Sequence, residues 1–335
     1  MGTAKPKRTW VEIDPNALRA NLCHASELAD DAEVMAVVKA DAYGHGFAET
    51  IKALDSEVSA FGVATLNEAL AVMTVAEKTP NIMILGALLP DEREEAVSAG
   101  LHVTISSLLE AKKYNEIGQR TGSQIQAHLV LDTGMGRLGF TDKNFIPECA
   151  EISSSSNIAI EGIATHFPCS DLDLDFTKNQ IEKFSKIIQK SKLNARWIHL
   201  SNSAGVINFG NAGGNMIRPG LMLYGICPTN HSSHKLRPAM EWKTRITQVR
   251  ELPSGSGISY GQTFITKKNT SVATVAVGYG DGYPRSVSGN DAEVIIKEKR
   301  CSILGRVTMD MIMVDVSDLD PLPCPGDEVT LLGGQ

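Results

Sequence analysis

Between about residue 30 and residue 225, eight short β-rich apolar runs alternate with amphipathic, helix-prone segments, and no other feature restricts the fold as strongly. The runs cover residues 34–38, 61–64, 82–85, 102–105, 125–131, 158–165, 197–200 and 216–224. Segments such as 66–77, 91–98, 107–118 and 178–190 lie between them, each long enough for a few helical turns. Strand and helix signals in alternation imply parallel strands joined by crossover helices, and right-handed crossovers repeated this often can close a barrel. An open doubly wound sheet is the other solution, because periodicity does not show closure. The polar residues Lys39, Arg137, His166, Ser203 and Arg218 each fall just after a run. In a closed parallel barrel those positions meet at one end, where the loops build a site. The expected fold is therefore α/β, a (β/α)8 TIM-like barrel over residues 1–230 followed by a mainly-β domain over 231–335.

The change of character comes after Tyr224. Residues 230–238 read as a polar linker, and the remainder carries no long helical pattern. Its β-prone runs (244–250, 271–277, 293–296 and 311–314) are separated by turns with Gly and Pro, as in an all-β domain. Residues 10–13 are expected to be a strand packing with that second domain, within a leading segment 1–14. Asp14-Pro15-Asn16 then starts a helix with proline at its first position.

Composition removes several classes of function. A formal net charge of -7 gives no electrostatic case for nucleic acid or an anionic membrane. No apolar stretch approaches the length of a membrane span. The basic start, Lys5-Pro6-Lys7-Arg8, has no signal-peptide core behind it, and Met1-Gly2 lacks the Ser or Thr of an acylation signal. Six scattered cysteines without a CxxC pair suggest reduced thiols in a cytoplasmic protein and no metal site.

Within this frame, Val37-Val38-Lys39-Ala40-Asp41-Ala42-Tyr43-Gly44-His45-Gly46 is the segment richest in chemistry. An ammonium at the end of a buried strand is costly unless paired, used covalently or kept at the rim. Apolar surroundings favour the free amine, which can condense with an aldehyde. A plain surface lysine past a strand end is the alternative. Asp132-Thr133-Gly134-Met135-Gly136-Arg137 combines a tight turn with a permanent planar charge suited to a carboxylate or phenolate. Ser201-Asn202-Ser203-Ala204-Gly205 places hydroxyls at a helix start, where backbone N–H groups hold an anion or Ser201 or Ser203 simply caps. Arg218, amid apolar residues of the eighth run, needs a buried partner. His166 alone reads as a hydrogen-bonded core histidine. The second domain sets Tyr260, Tyr283, Arg306 and Asp310 beside turn-forming glycines.

Together these motifs resemble the alanine racemase family of fold-type III pyridoxal-phosphate enzymes, from Trp10 to the end of the chain. The segments that carry the resemblance are Val-Lys-Ala-Asp-Ala-Tyr-Gly-His-Gly at 38–46, Asp-Thr-Gly-Met-Gly-Arg at 132–137, Thr-His-Phe at 165–167, Asn-Ser-Ala-Gly at 202–205 and Arg-Pro-Gly at 218–220. Ser-Tyr-Gly at 259–261, Gly-Tyr-Gly-Asp-Gly-Tyr-Pro-Arg at 278–285 and Gly-Arg-Val-Thr-Met-Asp at 305–310 follow in the family's order. The resemblance implies pyridoxal 5'-phosphate carried by Lys39, with its phosphate at Tyr43, Ser203 and the backbone of Gly220 and Leu221, and with Asn202 and His166 also among the cofactor-binding residues. It implies Arg218 at the pyridine nitrogen with His199 behind it, and Arg137 at the phenolic oxygen and the substrate carboxylate. It further implies a homodimer in which the partner's β-domain lends Tyr260 as second base, oriented through His166, and Met309 and Asp310 beside the substrate. Asp171, Tyr283 and Arg306 match positions at the substrate entrance.

The implied activity is interconversion of L- and D-alanine for peptidoglycan. A serine or broad-range racemase is the nearest alternative; a non-catalytic coenzyme-binding protein is another, opposed by the presence of a β-domain. Two departures stand out. Val130 occupies the place of a lysine, usually carbamylated, that steadies the arginine in many family members, so Arg137 needs another anion or a water. The sequence also stops at Gln335, where the family continues for some tens of residues, so the β-domain is expected to be cut short.

Overall fold

The computed structural model describes residues 7–78, 80–229 and 235–333. These form two compact units, one spanning Asp14–Ala239, the other made of the residues up to Ile13 and those from Met240 onward. The first strand, β1 (Thr9–Ile13), belongs to the second unit. Eight further strands build the first unit: β2 (Glu33–Val37), β3 (Ala60–Val63), β4 (Asn81–Ile84), β5 (His102–Ile105), β6 (Ile125–Val130), β7 (Ile158–Ala164), β8 (Trp197–His199) and β9 (Met216–Ile217).

All eight pair in parallel and in chain order, and β9 returns to β2 through Glu33↔Met216 and Val34↔Ile217. The barrel is closed, which excludes the open sheet. Strands β3 and β5 are buried at every position, as parallel strands covered on both faces must be. His102 on β5 packs its ring 5.5 Å from Trp197 on β8, so that contact crosses the interior between non-neighbouring strands.

Local capping accounts for the helix starts. Asp14 accepts from Asn16 N–H ahead of Pro15, Thr65 forms a capping box with Glu68, and Asp173 accepts from Phe176 N–H. The eighth apolar run differs from its expectation. Only Met216–Ile217 is strand; Pro219 cannot donate to a ladder, and the chain turns into a 3-10 helix at Leu221–Tyr224. Residues 230–234 of the expected linker lie outside the described residues, while Arg237 is pinned to Asn21 by hydrogen bonds in both directions.

The second unit is an antiparallel sheet. It adds β10 (Met240–Leu252), β11 (Gly257–Ile258), β12 (Phe264–Ile265), β13 (Thr270–Val275), β14 (Glu293–Ile296), β15 (Lys299–Leu304), β16 (Ile312–Asp315) and β17 (Glu328–Leu332). The main order is β1-β10-β13-β16-β15-β14-β17, and β17 also pairs with β10, so the sheet returns on itself. Ile246, Val275, Val294, Ile296, Val314 and Val329 fill its core. Thr9–Ile13 pairs antiparallel with β10, from Thr9↔Thr244 to Ile13↔Met240.

Candidate active site

Lys39 leaves β2 into an unusual turn. Ala40, Asp41, Ala42 and Tyr43 all have φ between 52 and 56°, a left-handed turn without a glycine until Gly44. Each such residue costs about 1–2 kcal/mol, so the surroundings must impose the shape. Ala42 N–H donates to Val38 C=O at 2.9 Å and Gly46 N–H to Asp41 C=O at 3.2 Å. The Asp41 carboxylate accepts from Phe47 N–H at 2.8 Å, and the Glu68 carboxylate accepts from Ala40 N–H at 2.7 Å. The Tyr43 ring rests 5.0 Å from Tyr224, whose hydroxyl donates to Val37 C=O.

Across the barrel mouth, helix Ser203–Phe209 begins with Asn202 as its cap, in place of the expected serines: its Oδ1 accepts from Gly205 N–H. The Asn202 amide also accepts from Ser170 Oγ and donates to Phe167 C=O, so it braces the loop. Ser203 Oγ accepts from Gly220 N–H at 2.9 Å and Met222 N–H at 3.2 Å, which leaves its own proton to donate. A Cβ on Gly220 would stand 2.6 Å from the Tyr43 hydroxyl, so only glycine lets these elements converge.

Arg218 lies just past the end of β9 with both terminal amino groups engaged as donors. It donates to the carbonyls of His199 (2.6 Å), Thr165 (2.8 Å) and Leu200 (3.1 Å), and to the ring nitrogens His199 Nδ1 (2.7 Å) and His166 Nδ1 (3.2 Å). Arginine offers donors only, which sets the tautomers beyond it. His199 must present its lone pair at Nδ1 and its proton at Nε2, 2.8 Å from His128 Nδ1. By the same logic His128 Nε2 donates to His102 Nδ1 at 3.0 Å. Three imidazoles therefore form a directional chain through the barrel interior. Burial, then the positive charges of Arg218, Arg137 and Lys39, hold His166 down to about 3. Burial and then Arg196 lower His102 to about 4; His128 and His199 are driven well below the histidine range, burial again leading. Burial and then Arg137 bring Arg218 down to about 10, still charged at neutral pH.

The loop carrying Arg137 is tied from within. The Asp132 carboxylate accepts from Gly134, Met135 and Gly136 N–H. Thr133 Oγ1 bonds Thr165 Oγ1 at 2.8 Å and accepts from Gln180 Nε2 at 3.0 Å. Val130 contributes an apolar patch to the wall of the cavity that Arg137 also lines.

A cavity of about 370 Å³ is lined by Lys39, Tyr43, Arg137, His166, Ser203 and Arg218, with Asp171, His199, Asn202, Gly220 and Leu221 also on its wall. The other sequence-derived residues lie on the β-domain. Ser259 Oγ donates to Arg306 C=O, Tyr279 N–H to Thr308 C=O and Gly280 N–H to Met309 C=O, which joins three loops into one surface. Tyr260 is 71% exposed there and Met309 62%; Arg306 and Asp310 are exposed as well. Tyr283 requires a correction. It is 7% exposed and packs its ring against Trp242 in the β-domain core, so it cannot line an entrance; Tyr279, at 46%, holds the exposed place in that motif. Sequence reasoning missed Glu68, His102, His128, Thr133, Gln180 and Tyr224. The histidines were signalled only by their inward positions on strands, and Glu68 by its capping box.

A parallel barrel with a lysine, an anion cradle and a buried arginine around one mouth is the architecture of a phosphorylated-aldehyde coenzyme enzyme. Models of the alanine racemase N-terminal domain and C-terminal domain match residues 13–228 and 239–335. The chain belongs to the alanine racemase family. It is 40% identical over 330 residues to the alanine racemase of Methylacidiphilum infernorum, covering 98% of this chain and 84% of that protein. It is 37% identical to the one from Halothermothrix orenii, covering 98% and 88%. The solved alanine racemase of Clostridium difficile superposes with a TM-score of 0.90 at 33% identity, over 99% of this chain and 88% of that one. The Bartonella henselae alanine racemase, solved with covalently bound pyridoxal phosphate, gives 0.88 at 27% identity, over 98% and 91%.

Proposed function

We propose that this chain is a pyridoxal-phosphate-dependent alanine racemase whose two proton-transfer groups are Lys39 and Tyr260. The observation that carries the reading is one cavity wall holding the Lys39 amine, the Ser203–Gly220–Tyr43 cradle and the donor-only Arg218. These residues fit the coenzyme. The cradle supplies hydroxyl donors at a spot where a Cβ would intrude, as a phosphate requires, and Lys39 supplies an amine for an aldehyde. Bound there, pyridoxal 5'-phosphate supplies an electron-withdrawing ring that acidifies the substrate Cα–H.

The chain's own residues divide the remaining work. Lys39 removes or returns the α-proton on one face of the substrate carbon, and Tyr260 does so on the other. Tyrosine titrates near ~10 when unperturbed, so positive charge or hydrogen bonding must help it act at neutral pH. Neutral His166, held by Arg218, orients that hydroxyl through its free Nε2. Arg218 keeps its proton and offers only donors, so it would leave a ring nitrogen placed against it unprotonated; the His199–His128–His102 chain holds the guanidinium in place. Arg137 orients the substrate carboxylate, and Met309 and Asp310 line the same side.

The exposed group of Tyr260, Tyr279 and Met309 on the β-domain favours a homodimer, since a clustered apolar surface marks an interaction site. In it, each β-domain lends Tyr260, Met309 and Asp310 to the partner's barrel, with Asp171, Tyr279 and Arg306 at the entrance. Among the described residues no helix is long and apolar enough to cross a membrane, and the proposed location is cytoplasmic. The general role of the family is to supply D-alanine for peptidoglycan. Chiral analysis of L-alanine and L-serine incubations tests the assignment: alanine should racemise faster. Serine turning over faster, or neither turning over, rejects it.

A further inference from the structure

We infer that Glu68 is a positioning residue for Lys39, its carboxylate locking the peptide that sets the lysine's direction. The inference rests on Lys39 as the coenzyme's attachment point and adds the device that aims it. Glu68 stands in the first turn of helix Leu66–Val75, and its side chain reaches back. One carboxylate oxygen accepts from Ala40 N–H at 2.7 Å; the other accepts from Ala64 N–H at 2.8 Å and Thr65 N–H at 3.3 Å. A capping box needs only the Thr65 link. The Ala40 bond is additional, and it joins the ends of the neighbouring strands β2 and β3.

Its placement gives it leverage. Ala40 N–H belongs to the peptide plane directly after Lys39, at the first left-handed residue. The plane before Lys39 is tied as well, because Val38 C=O accepts from Ala42 N–H at 2.9 Å. Fixing both planes that flank a Cα fixes the direction of its Cβ. The Val38 bond lies within the turn itself, whereas Glu68 holds it from outside. Three converging N–H donors also explain the residue type. An ionised carboxylate has acceptors on both oxygens and no donor, while glutamine would turn an NH2 against one set of N–H groups. Asp41, on the same turn, is committed to Phe47 N–H and is placed after the lysine's own peptide.

The test compares apoenzymes of wild type, Glu68→Gln, Glu68→Asp and Thr65→Ala, titrated separately with pyridoxal 5'-phosphate and with inorganic phosphate. Thr65→Ala removes the helix cap and leaves the Ala40 bond. Glu68→Gln is expected to weaken coenzyme binding on the order of tenfold, the loss of a hydrogen bond to a charged group. It should also slow borohydride-trapped attachment at Lys39 and leave phosphate affinity unchanged. Glu68→Asp, charged but one methylene short, should shift the same way, and serves if the glutamine variant does not fold. Thr65→Ala should lower Tm and bind coenzyme as wild type does. Equal Tm losses in Glu68→Gln and Thr65→Ala with wild-type coenzyme binding in both would reduce Glu68 to a helix cap and overturn the inference. Wild type failing to attach coenzyme at Lys39 would instead overturn the reading of the site.

Discussion

The barrel mouth and the β-domain loops hold their chemical groups in opposite ways. In the barrel, Arg218 is buried and donates to three carbonyls and two imidazoles, and the turn after Lys39 keeps four non-glycine residues left-handed. On the β-domain, Tyr260 and Met309 project from loops tied to one another by backbone bonds while their side chains stay exposed. The barrel residues are organised before any ligand arrives. The β-domain residues are presented, and what they meet must complete their environment. Preorganised donors in a water-poor site are the larger source of catalysis, whereas presented groups depend on assembly.

The largest expected effect separates the two. Lys39→Ala should abolish racemisation and coenzyme attachment together. Tyr260→Phe should cost roughly 10²- to 10⁴-fold in turnover while coenzyme absorbance is retained. Loss of absorbance in the tyrosine variant would merge the two regions into one role. Next, Arg218→Met should destabilise the barrel by about 3–5 kcal/mol in denaturant titration, because the carbonyls of Thr165, His199 and Leu200 lose their donor in the interior, each buried acceptor left unpaired costing about 1–3 kcal/mol. A comparable loss, about 3–5 kcal/mol, is expected for Tyr283→Ala in the β-domain core. Turnover per folded enzyme should be unchanged there, and a raised KM would return Tyr283 to the entrance.

A gentler measurement is pH. His102, His128, His166 and His199 bind a proton more readily unfolded, near 6.5, than folded. The unfolded state therefore gains protons first as pH falls, so folded stability is full above 6.5 and is lost as pH falls, toward about 4 for His102 and about 3 for His166, with His128 and His199 acting in the same direction. Each neutral histidine contributes about 1.4 kcal/mol per pH unit in that window. Urea midpoints measured from pH 7.5 to 4.5 should fall for wild type, and less steeply for His128→Asn. An unchanged slope would show that His128 is not held neutral.

Much of this was legible in the residues. Runs 102–105 and 293–296 coincide with the strands formed, and Lys39, Arg137, His166, Ser203 and Arg218 do converge on one cavity. The misreadings share a cause. Tyr283 and Tyr279 sit in one glycine-rich motif, and only packing against Trp242 tells which is inside. Ser201 and Ser203 both looked like caps, yet Asn202 caps and Ser203 turns toward Gly220.

Alternation of strand and helix signals, with polar residues placed after the strands, was enough to dictate parallel strands and the end at which the chemistry gathers, because periodicity is local; closure into a barrel came from the β9–β2 pairing. The histidine chain behind Arg218, the reach of Glu68 to Ala40 and the burial of Tyr283 were settled by tertiary structure alone. Those contacts join residues far apart in the chain, and hydrogen bonding through an interior depends on which side chains closure brings face to face.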